Sequence, residues 1–246
     1  MTQDVSHRTT ARAVTIGGLA VVAIAAGGVA VGPVGEPFAV AAAVLYGLAG
    51  ALLLGRVKAL RPFARFGSAN AVTLGRLVAA CLLGGMAAEI AVTGRRPDDA
   101  LAWTMAAAAG LALASDGLDG WLARRRGIAS DFGARFDMEV DAFLILLLAM
   151  LAWLLDKTGA WILAVGLARY AFVAAAAVYW PWLKRPLPPS WRRKTACAVA
   201  GGALVLLLAP VVVPPISIGI GLLALLPICH SFGADVAWLA ERRDRP

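Results

Sequence analysis

The sequence predicts an all-α, polytopic membrane helix bundle that begins with a two-helix N-terminal extension. Of its 246 residues, 61% are hydrophobic and 15% are charged, and the mean hydropathy is +0.78. This composition excludes an ordinary soluble domain. The apolar residues fall in runs of about 20, the length that a helix needs to cross a bilayer. Basic residues are concentrated between alternate runs, as in proteins with several transmembrane helices.

These runs define eight candidate spans. The first follows Arg8 and Arg12 and therefore resembles a signal peptide. Its apolar run is too long for one and no soluble domain follows, so we expect a retained span. In order, the spans cover residues 13–34, 37–55, 70–93, 100–123, 138–156, 160–182, 195–213 and 216–238.

The basic residues predict the orientation of these spans. Eight spans place 18 of the 23 Lys and Arg residues on one side of the membrane, together with both termini, and only 3 on the other. Because basic loops stay in the cytoplasm, we expect the termini and the acidic cluster described below to face it, in an inner or cytoplasmic membrane. Topology and anionic lipid headgroups account for the net charge of +8, so no nucleic-acid partner is expected.

Composition also suggests three segments. Residues 1–55 hold two Ala/Gly/Val-rich spans, which we interpret as a scaffold or a dimer contact. Residues 56–69 mix basic and apolar residues, which is typical of an interfacial juxtamembrane helix broken near Pro62; an ordinary basic loop is the alternative. Residues 70–246 form the main membrane domain.

Cysteine and histidine offer little chemistry in this chain. Cys81, Cys197 and Cys229 lie in or beside apolar spans and form no CxxC pair. We therefore expect small core residues and no disulfide framework. The two histidines, His7 and His230, are far apart in sequence, which argues against a histidine-based zinc site.

Four aspartates carry the strongest functional signal. They form two pairs at helical spacings of three and four, each beside a long apolar run, so two helices can each present two carboxylates on one face. Acids at the edge of a membrane span are costly and indicate function. Four converging carboxylates need cations between them, and oxygen ligands suit Mg²⁺ or Mn²⁺ acting on phosphates. The four are Asp116, Asp119, Asp137 and Asp141.

The residues around these aspartates resemble the signature of the CDP-alcohol phosphatidyltransferases. The pattern D-x2-D-G-x2-A-R-x8-G-x3-D-x3-D is matched without substitution at Asp116, Asp119, Gly120, Ala123, Arg124, Gly133, Asp137 and Asp141. The segment N-A-V-T-L-G-R at 70–76 is similar to the start of the first core helix of that family, and Lys194-Thr195 is similar to a pair before its fifth. Six spans from 70 to 238 then match its six-helix core, which leaves the first two transmembrane helices as additions.

The resemblance implies a reaction and a set of roles. CDP-diacylglycerol would donate its phosphatidyl group to the hydroxyl of a polar alcohol, and CMP would leave. Asp116, Asp119 and Asp137 would hold two divalent ions, Mg²⁺ or Mn²⁺. Asp141 would accept the proton of the hydroxyl and assist in metal binding. The nucleotide would be bound by Asn70, Thr73, Gly120, Ala123, Arg124 and Gly133. A homodimer in contact with membrane lipids is also implied.

Cationic side chains are candidates for binding the acceptor alcohol. Two of them, Arg76 and Arg169, lie inside apolar spans, where an unpaired guanidinium is costly. A phosphorylated acceptor such as glycerol 3-phosphate or inositol phosphate would suit such groups. Alternatively, the loop arginines only set topology and Arg76 pairs with an aspartate. The candidates are Arg76, Arg135, Arg169, Arg192, Arg193 and Lys194.

Other functions predict different patterns. A transporter would carry acids near the bilayer midplane, often on broken helices, whereas these acids lie at the ends of spans. A membrane prenyltransferase would need a second aspartate-rich motif, and none follows Asp141. A different CDP-linked donor on the same scaffold, and a non-catalytic protein whose aspartates pair with Arg124, Arg125 and Arg126, remain as alternatives.

Overall fold

The computed structural model describes the backbone of residues 2–60, 68–126 and 131–242, and the side chains of residues 8–55, 70–115 and 133–242. Within these ranges all regular structure is helical, which confirms the predicted all-α class. Short 3-10 helices precede α6 and α7, at Ala160–Ile162 and Pro181–Lys184. The α-helices are α1 (Thr2–Val31), α2 (Glu36–Leu60), α3 (Ser68–Thr93), α4 (Asp99–Arg126), α5 (Asp131–Leu154), α6 (Leu163–Val178), α7 (Trp191–Leu208) and α8 (Ile216–Ala240).

Each predicted span falls on one of these helices. Among the described residues, five segments are long and apolar enough to cross a membrane, so the chain is an integral membrane protein. The described apolar part of α4, Asp99–Ser115, is shorter, and α5 and α7 carry charged residues in their first turns. The five segments are Arg8–Val31, Glu36–Gly55, Asn70–Thr93, Ala160–Val178 and Ile216–Ala240.

The chain divides into two compact units, residues 1–147 and 148–246, with the boundary inside α5. The segments predicted from composition do not coincide with this division and stay predictions. Of the predicted interfacial segment, residues 56–60 continue α2 and residues 68–69 begin α3, whereas residues 61–67 lie outside the described residues.

In the first unit, α1 and α2 form a helical hairpin. Gly32 ends α1 with a positive φ of 92°, which a glycine adopts without strain. The Tyr46 hydroxyl of α2 donates a hydrogen bond of 2.9 Å to the carbonyl of Val14 in α1. The Tyr46 ring also lies over Gly17 and Gly18, where a Cβ would leave no room for it. The two helices are therefore joined by a specific contact as well as by apolar packing.

In the second unit, Lys157 closes the end of α7. Its Nζ donates hydrogen bonds to the carbonyls of Ala209, Pro210 and Val212, at 3.1, 3.4 and 2.6 Å. The Ser217 hydroxyl donates in turn to the carbonyl of Lys157, at 2.5 Å. Ala209 is the C-cap of α7, and a cation is favourable there because the last carbonyls of a helix have no helical partner and carry partial negative charge. The carbonyls of Pro210 and Val212 belong to the segment that follows the helix.

We expect Lys157→Met to destabilise the protein by about 2 kcal/mol, since a charged donor is removed from three carbonyls. The measurement is the denaturant midpoint in detergent, followed by circular dichroism. Lys184→Met is the matched control, because Lys184 is exposed. Equal midpoints for the two variants would show that the carbonyls find other donors and that Lys157 contributes little.

Candidate active site

Helix α3 brings three polar side chains to one side of the first unit. Asn70, Thr73 and Arg76 follow each other at intervals of three, so they lie close together along the helix surface. All three side chains are buried, and Arg76 is 2% exposed. A buried guanidinium in an apolar helix requires compensating acceptors. The neighbouring helix α5 supplies them.

Helix α5 presents Asp137 and Asp141 one turn apart. Both carboxylates remain accessible, with exposed fractions of 34% and 36%. Gly133 lies a further turn toward the start of α5 and is half-buried, whereas Arg135 and Glu139 are exposed. The spacing of four therefore places the two carboxylates together, whereas Glu139 lies at a different angular position on the helix.

The two helices meet through Arg76. Its Nη1 donates a hydrogen bond of 2.6 Å to Oδ1 of Asp137, and its Nη2 is ion-paired with Oδ1 of Asp141. The Thr73 hydroxyl adds a second donor to the same Asp137 oxygen, at 3.3 Å. One buried cation thus joins two carboxylates that are a helical turn apart.

This arrangement fits a divalent cation. Two carboxylates already converge on positive charge, and each keeps about a third of its surface accessible. Thr73 and Arg76 donate to Asp137, as the outer hydrogen-bond donors that orient the carboxylate ligands of a metal usually do. Oxygen donors of this kind suit Mg²⁺ or Mn²⁺. The described part of the predicted donor set is therefore chemically compatible with the predicted cofactor.

The first half of the predicted motif lies in the last turns of α4. The structure gives its backbone as helical, and its side chains lie outside the described residues. Among the side chains that are described, no group of three or more His, Cys, Asp or Glu residues forms a metal site. The motif residues concerned are Asp116, Asp119, Gly120, Ala123 and Arg124, and their roles stay predictions.

The predicted acceptor-binding cations are divided between the two units. In the first unit, Arg76 holds the aspartates described above and Arg135 is exposed. In the second unit, Arg169 is half-buried on α6. Lys194 lies over the ring of Trp191, 5.3 Å from its centroid. The structure thus gives the six cations different surroundings, and their common role in acceptor binding stays a prediction.

Arg192 and Arg193 share one carboxylate on α8. Arg192 Nη2 and Arg193 Nη1 lie 2.5 and 3.2 Å from Oδ1 of Asp235, which is buried. Arg192 also donates to the carbonyl of Ser231 at 2.9 Å, and Arg193 donates to that of Pro188. From the sequence, both arginines were candidates for binding the acceptor, and neither was paired with Asp235. An acid near the end of an apolar span, opposite a basic loop, was the signal for this pairing.

Glu89 was not noticed in the sequence. It lies on α3, is 1% exposed, and accepts a hydrogen bond of 3.2 Å from the backbone N–H of Phe38 in the first turn of α2. A carboxylate at that position offsets the positive end of the helix and satisfies one of its free N–H groups. A single acid inside the apolar run A-A-E-I-A was the available signal.

Comparison with known proteins identifies the family. The sequence model of the CDP-alcohol phosphatidyltransferases matches residues 66–229, which is more than half of the chain. The protein therefore belongs to that family, as the motif predicted. No curated protein and no solved structure gives a significant match. The matched region begins after α2, so it contains the site residues on α3 and α5 but excludes the first two helices.

The Arg76 contacts lead to a stability prediction. We expect Arg76→Met to cost roughly 2 kcal/mol, less than the 3–5 kcal/mol of a fully buried pair, because the two carboxylates keep some solvent. Adding Asp137→Asn and Asp141→Asn to Arg76→Met should restore part of that loss, since no carboxylate is then left without its cation. Denaturant midpoints of the single, double and triple variants measure this coupling.

Arg135→Met serves as the control for this series, because it removes an exposed arginine from α5 outside the Arg76 contacts. The contrary outcome is that the stability changes of Arg76→Met and of the two asparagine substitutions simply add up in the triple variant. That result would mean that the ion pairs contribute nothing to folding.

Proposed function

We propose that this member of the CDP-alcohol phosphatidyltransferase family transfers the phosphatidyl group of CDP-diacylglycerol to the hydroxyl of a polar alcohol, with release of CMP. The family match supports transfer from a CDP-alcohol. The intact eight-residue motif supports a working enzyme. The single observation that carries the proposal is the convergence of Asp137 and Asp141 on one cation, with both carboxylates still accessible.

Asp116, Asp119, Asp137 and Asp141 would hold two divalent ions, Mg²⁺ or Mn²⁺. When bound, these ions would neutralise the diphosphate and stabilise the departing CMP. Thr73 and Arg76 both donate to Oδ1 of Asp137, which fixes the orientation of this carboxylate. Asn70 and Thr73 on α3, together with Gly120, Ala123, Arg124 and Gly133, would bind the nucleotide.

Asp141 would act as the general base. The acceptor hydroxyl attacks the phosphorus that carries diacylglycerol, a new P–O bond forms, and the P–O bond to CMP breaks. The proton of the hydroxyl passes to the Asp141 carboxylate. Its ion pair with Arg76 keeps this carboxylate in place, and its exposed fraction of 36% leaves room for the hydroxyl. General bases in enzymes contribute roughly 10²- to 10⁴-fold to the rate.

The topology and the assembly are also part of this proposal. We infer that the site and both termini face the cytoplasm, because the basic residues are concentrated on that side of the predicted spans. The enzyme would work in an inner or cytoplasmic membrane, where both the donor lipid and anionic headgroups are present. A homodimer is proposed from the family resemblance.

The reaction is tested by CMP release from purified protein given CDP-diacylglycerol and Mg²⁺ or Mn²⁺, over a panel of alcohols. We expect release with at least one acceptor, and none after chelation of the divalent ions. Asp141→Asn should lower kcat by about 10²- to 10⁴-fold, because an amide cannot accept the proton. Asp137→Asn should also abolish turnover through loss of a metal ligand.

Glu139→Gln is the matched control, since it neutralises an exposed carboxylate on the same helix outside the motif. It should turn over at the wild-type rate. A folded wild-type protein that binds the donor and releases no CMP with any acceptor would favour a non-catalytic role. A protein that does not bind CDP-diacylglycerol but binds another CDP-linked donor would favour the alternative donor.

We further propose a phosphorylated acceptor, because two adjacent arginines at the start of α7 are held in place by Asp235. Guanidinium groups recognise phosphate through paired hydrogen bonds. Glycerol 3-phosphate and inositol phosphate should then react faster than glycerol and inositol. Arg193→Gln should raise the KM of the phosphorylated acceptor about 10-fold and leave kcat nearly unchanged.

Arg185→Gln is the control for this variant, because it removes an exposed arginine from the same unit of the chain, whereas Arg193 is half-buried. Equal rates with phosphorylated and neutral alcohols, or an unchanged KM for Arg193→Gln, would contradict a phosphorylated acceptor.

A further inference from the structure

The N-terminal hairpin of α1 and α2 lies outside the family match and packs on the helix that carries half of the site. The backbones of α2 and α3 approach closely at Gly85, where a Cβ would lie 2.6 Å from the carbonyl oxygen of Phe38 in α2. The neighbouring Gly84 accommodates Leu45 of α2 in the same way. One turn further along α3, Glu89 accepts the N–H of Phe38. Backbone contact and a buried carboxylate together fix α2 along α3.

Towards the other end of α3 the same two helices share a hydrophobic cluster with α5. Its buried members include Ala42, Tyr46 and Leu53 from α2, and Leu74, Leu77 and Cys81 from α3. Val140 of α5 belongs to the same cluster, with Phe136 and Phe143 packed against it. The hairpin therefore shares one hydrophobic cluster with α3 and α5, the two helices that carry the described part of the site.

Three of the site residues, Thr73, Arg76 and Asp141, lie next to a buried member of this cluster in the sequence. Thr73 and Arg76 precede Leu74 and Leu77, and Val140 precedes Asp141. Consecutive helical residues point about 100° apart, so one side of α3 faces the cluster while the adjacent side faces the aspartates. A shift of α3 against its hairpin must therefore also shift Thr73 and Arg76 against α5.

We propose that the hairpin of α1 and α2 is a positioning element for the active site. By fixing α3, it sets the distance from Thr73 and Arg76 to Asp137 and Asp141. The proposal rests on the proposed function in one respect, since the aspartates are taken to bind divalent ions. Loss of an outer hydrogen-bond partner of a metal ligand typically lowers metal affinity 10- to 100-fold. Displacement of α3 should lower the metal affinity for the same reason, because it moves Thr73 and Arg76 away from the aspartates.

The test compares two glycine substitutions in the full-length protein. Gly85→Ala places a methyl group against the backbone of Phe38, so α2 and α3 must separate. Gly47→Ala adds the same methyl to α2 at a position with nothing within 4 Å. We expect Gly85→Ala to weaken Mn²⁺ binding about 10-fold, measured by electron paramagnetic resonance of free Mn²⁺ without donor or acceptor. Gly47→Ala should bind like the wild type.

Cys81 reports on the hairpin independently of metal and activity. It is fully buried in the shared cluster, whereas Cys197 and Cys229 are exposed. In a background with both exposed cysteines changed to serine, maleimide labelling of Cys81 should be slow in the wild type and in Gly47→Ala. It should be faster in Gly85→Ala, where the cluster is opened.

If Gly85→Ala does not fold, a second pair of variants tests whether the hairpin positions the site. Glu89→Ala removes the acceptor for the Phe38 N–H, and Glu89→Gln keeps an acceptor of nearly the same size. Mn²⁺ affinity should fall in Glu89→Ala and largely recover in Glu89→Gln. Gly85 and Glu89 both lie far from the proposed metal ligands in the sequence. Substitution of either residue removes no group from the site.

The outcomes separate this proposal from the proposed function. The hairpin is only a scaffold if the folded Gly85→Ala and Glu89→Ala variants bind Mn²⁺ as tightly as the wild type or more tightly. This conclusion holds whatever the labelling rate of Cys81. Weaker binding in both, with Gly47→Ala and Glu89→Gln near the wild type, supports positioning. A wild-type protein that binds no Mn²⁺ would overturn the proposed metal site, and the positioning role with it.

Discussion

A single buried guanidinium organises the site of this protein. Arg76 lies in an apolar helix, where a lone charge is costly, and it is stabilised because Asp137 and Asp141 face it from the next helix. The two acids gain a fixed orientation from the same contact. This arrangement compensates the buried charge, and under the proposed function it would also preorganise the two carboxylates for a divalent ion. The part of each carboxylate surface that stays accessible is the part that an ion or a substrate can reach.

The same physical rule explains the other charged groups inside the helical bundle. Lys157 is surrounded by carbonyls at the end of α7, Asp235 lies between two arginines, and Glu89 caps α2. In each case a backbone or ionic partner replaces the water that the apolar surroundings exclude. Asp137 and Asp141 keep about a third of their surface accessible, whereas Glu89 and Asp235 are buried. Under the proposed function, this accessible surface would be where the metal ions and the substrate bind.

The sequence alone was sufficient to predict the helices and to predict which residues lie on the same face of each helix. Apolar runs predicted where the spans lie, and the spacing of four placed Asp137 and Asp141 on one face. Partners between helices could not be predicted in this way. Arg76 and Asp137 are 61 residues apart, and periodicity gives the face of a helix but not the neighbour of that face. Arg76 was therefore assigned to the acceptor, with an aspartate as the alternative partner. Glu89 was overlooked for the same reason, since its partner is a backbone N–H that has no sequence signature.

The N-terminal hairpin shows why a motif alone does not define a working site. The motif supplies the acids, but their geometry depends on where α3 lies, and α3 is packed on two helices that the family match does not include. Gly84 and Gly85 have no side chains, so the helix backbones approach closely, and close contacts transmit small displacements because packed interiors compress little. Tyr46 and Glu89 add directional contacts that a purely apolar interface would lack. An addition of this kind can persist only if its packing is compatible with the site, which makes the hairpin and the aspartates parts of one structural constraint.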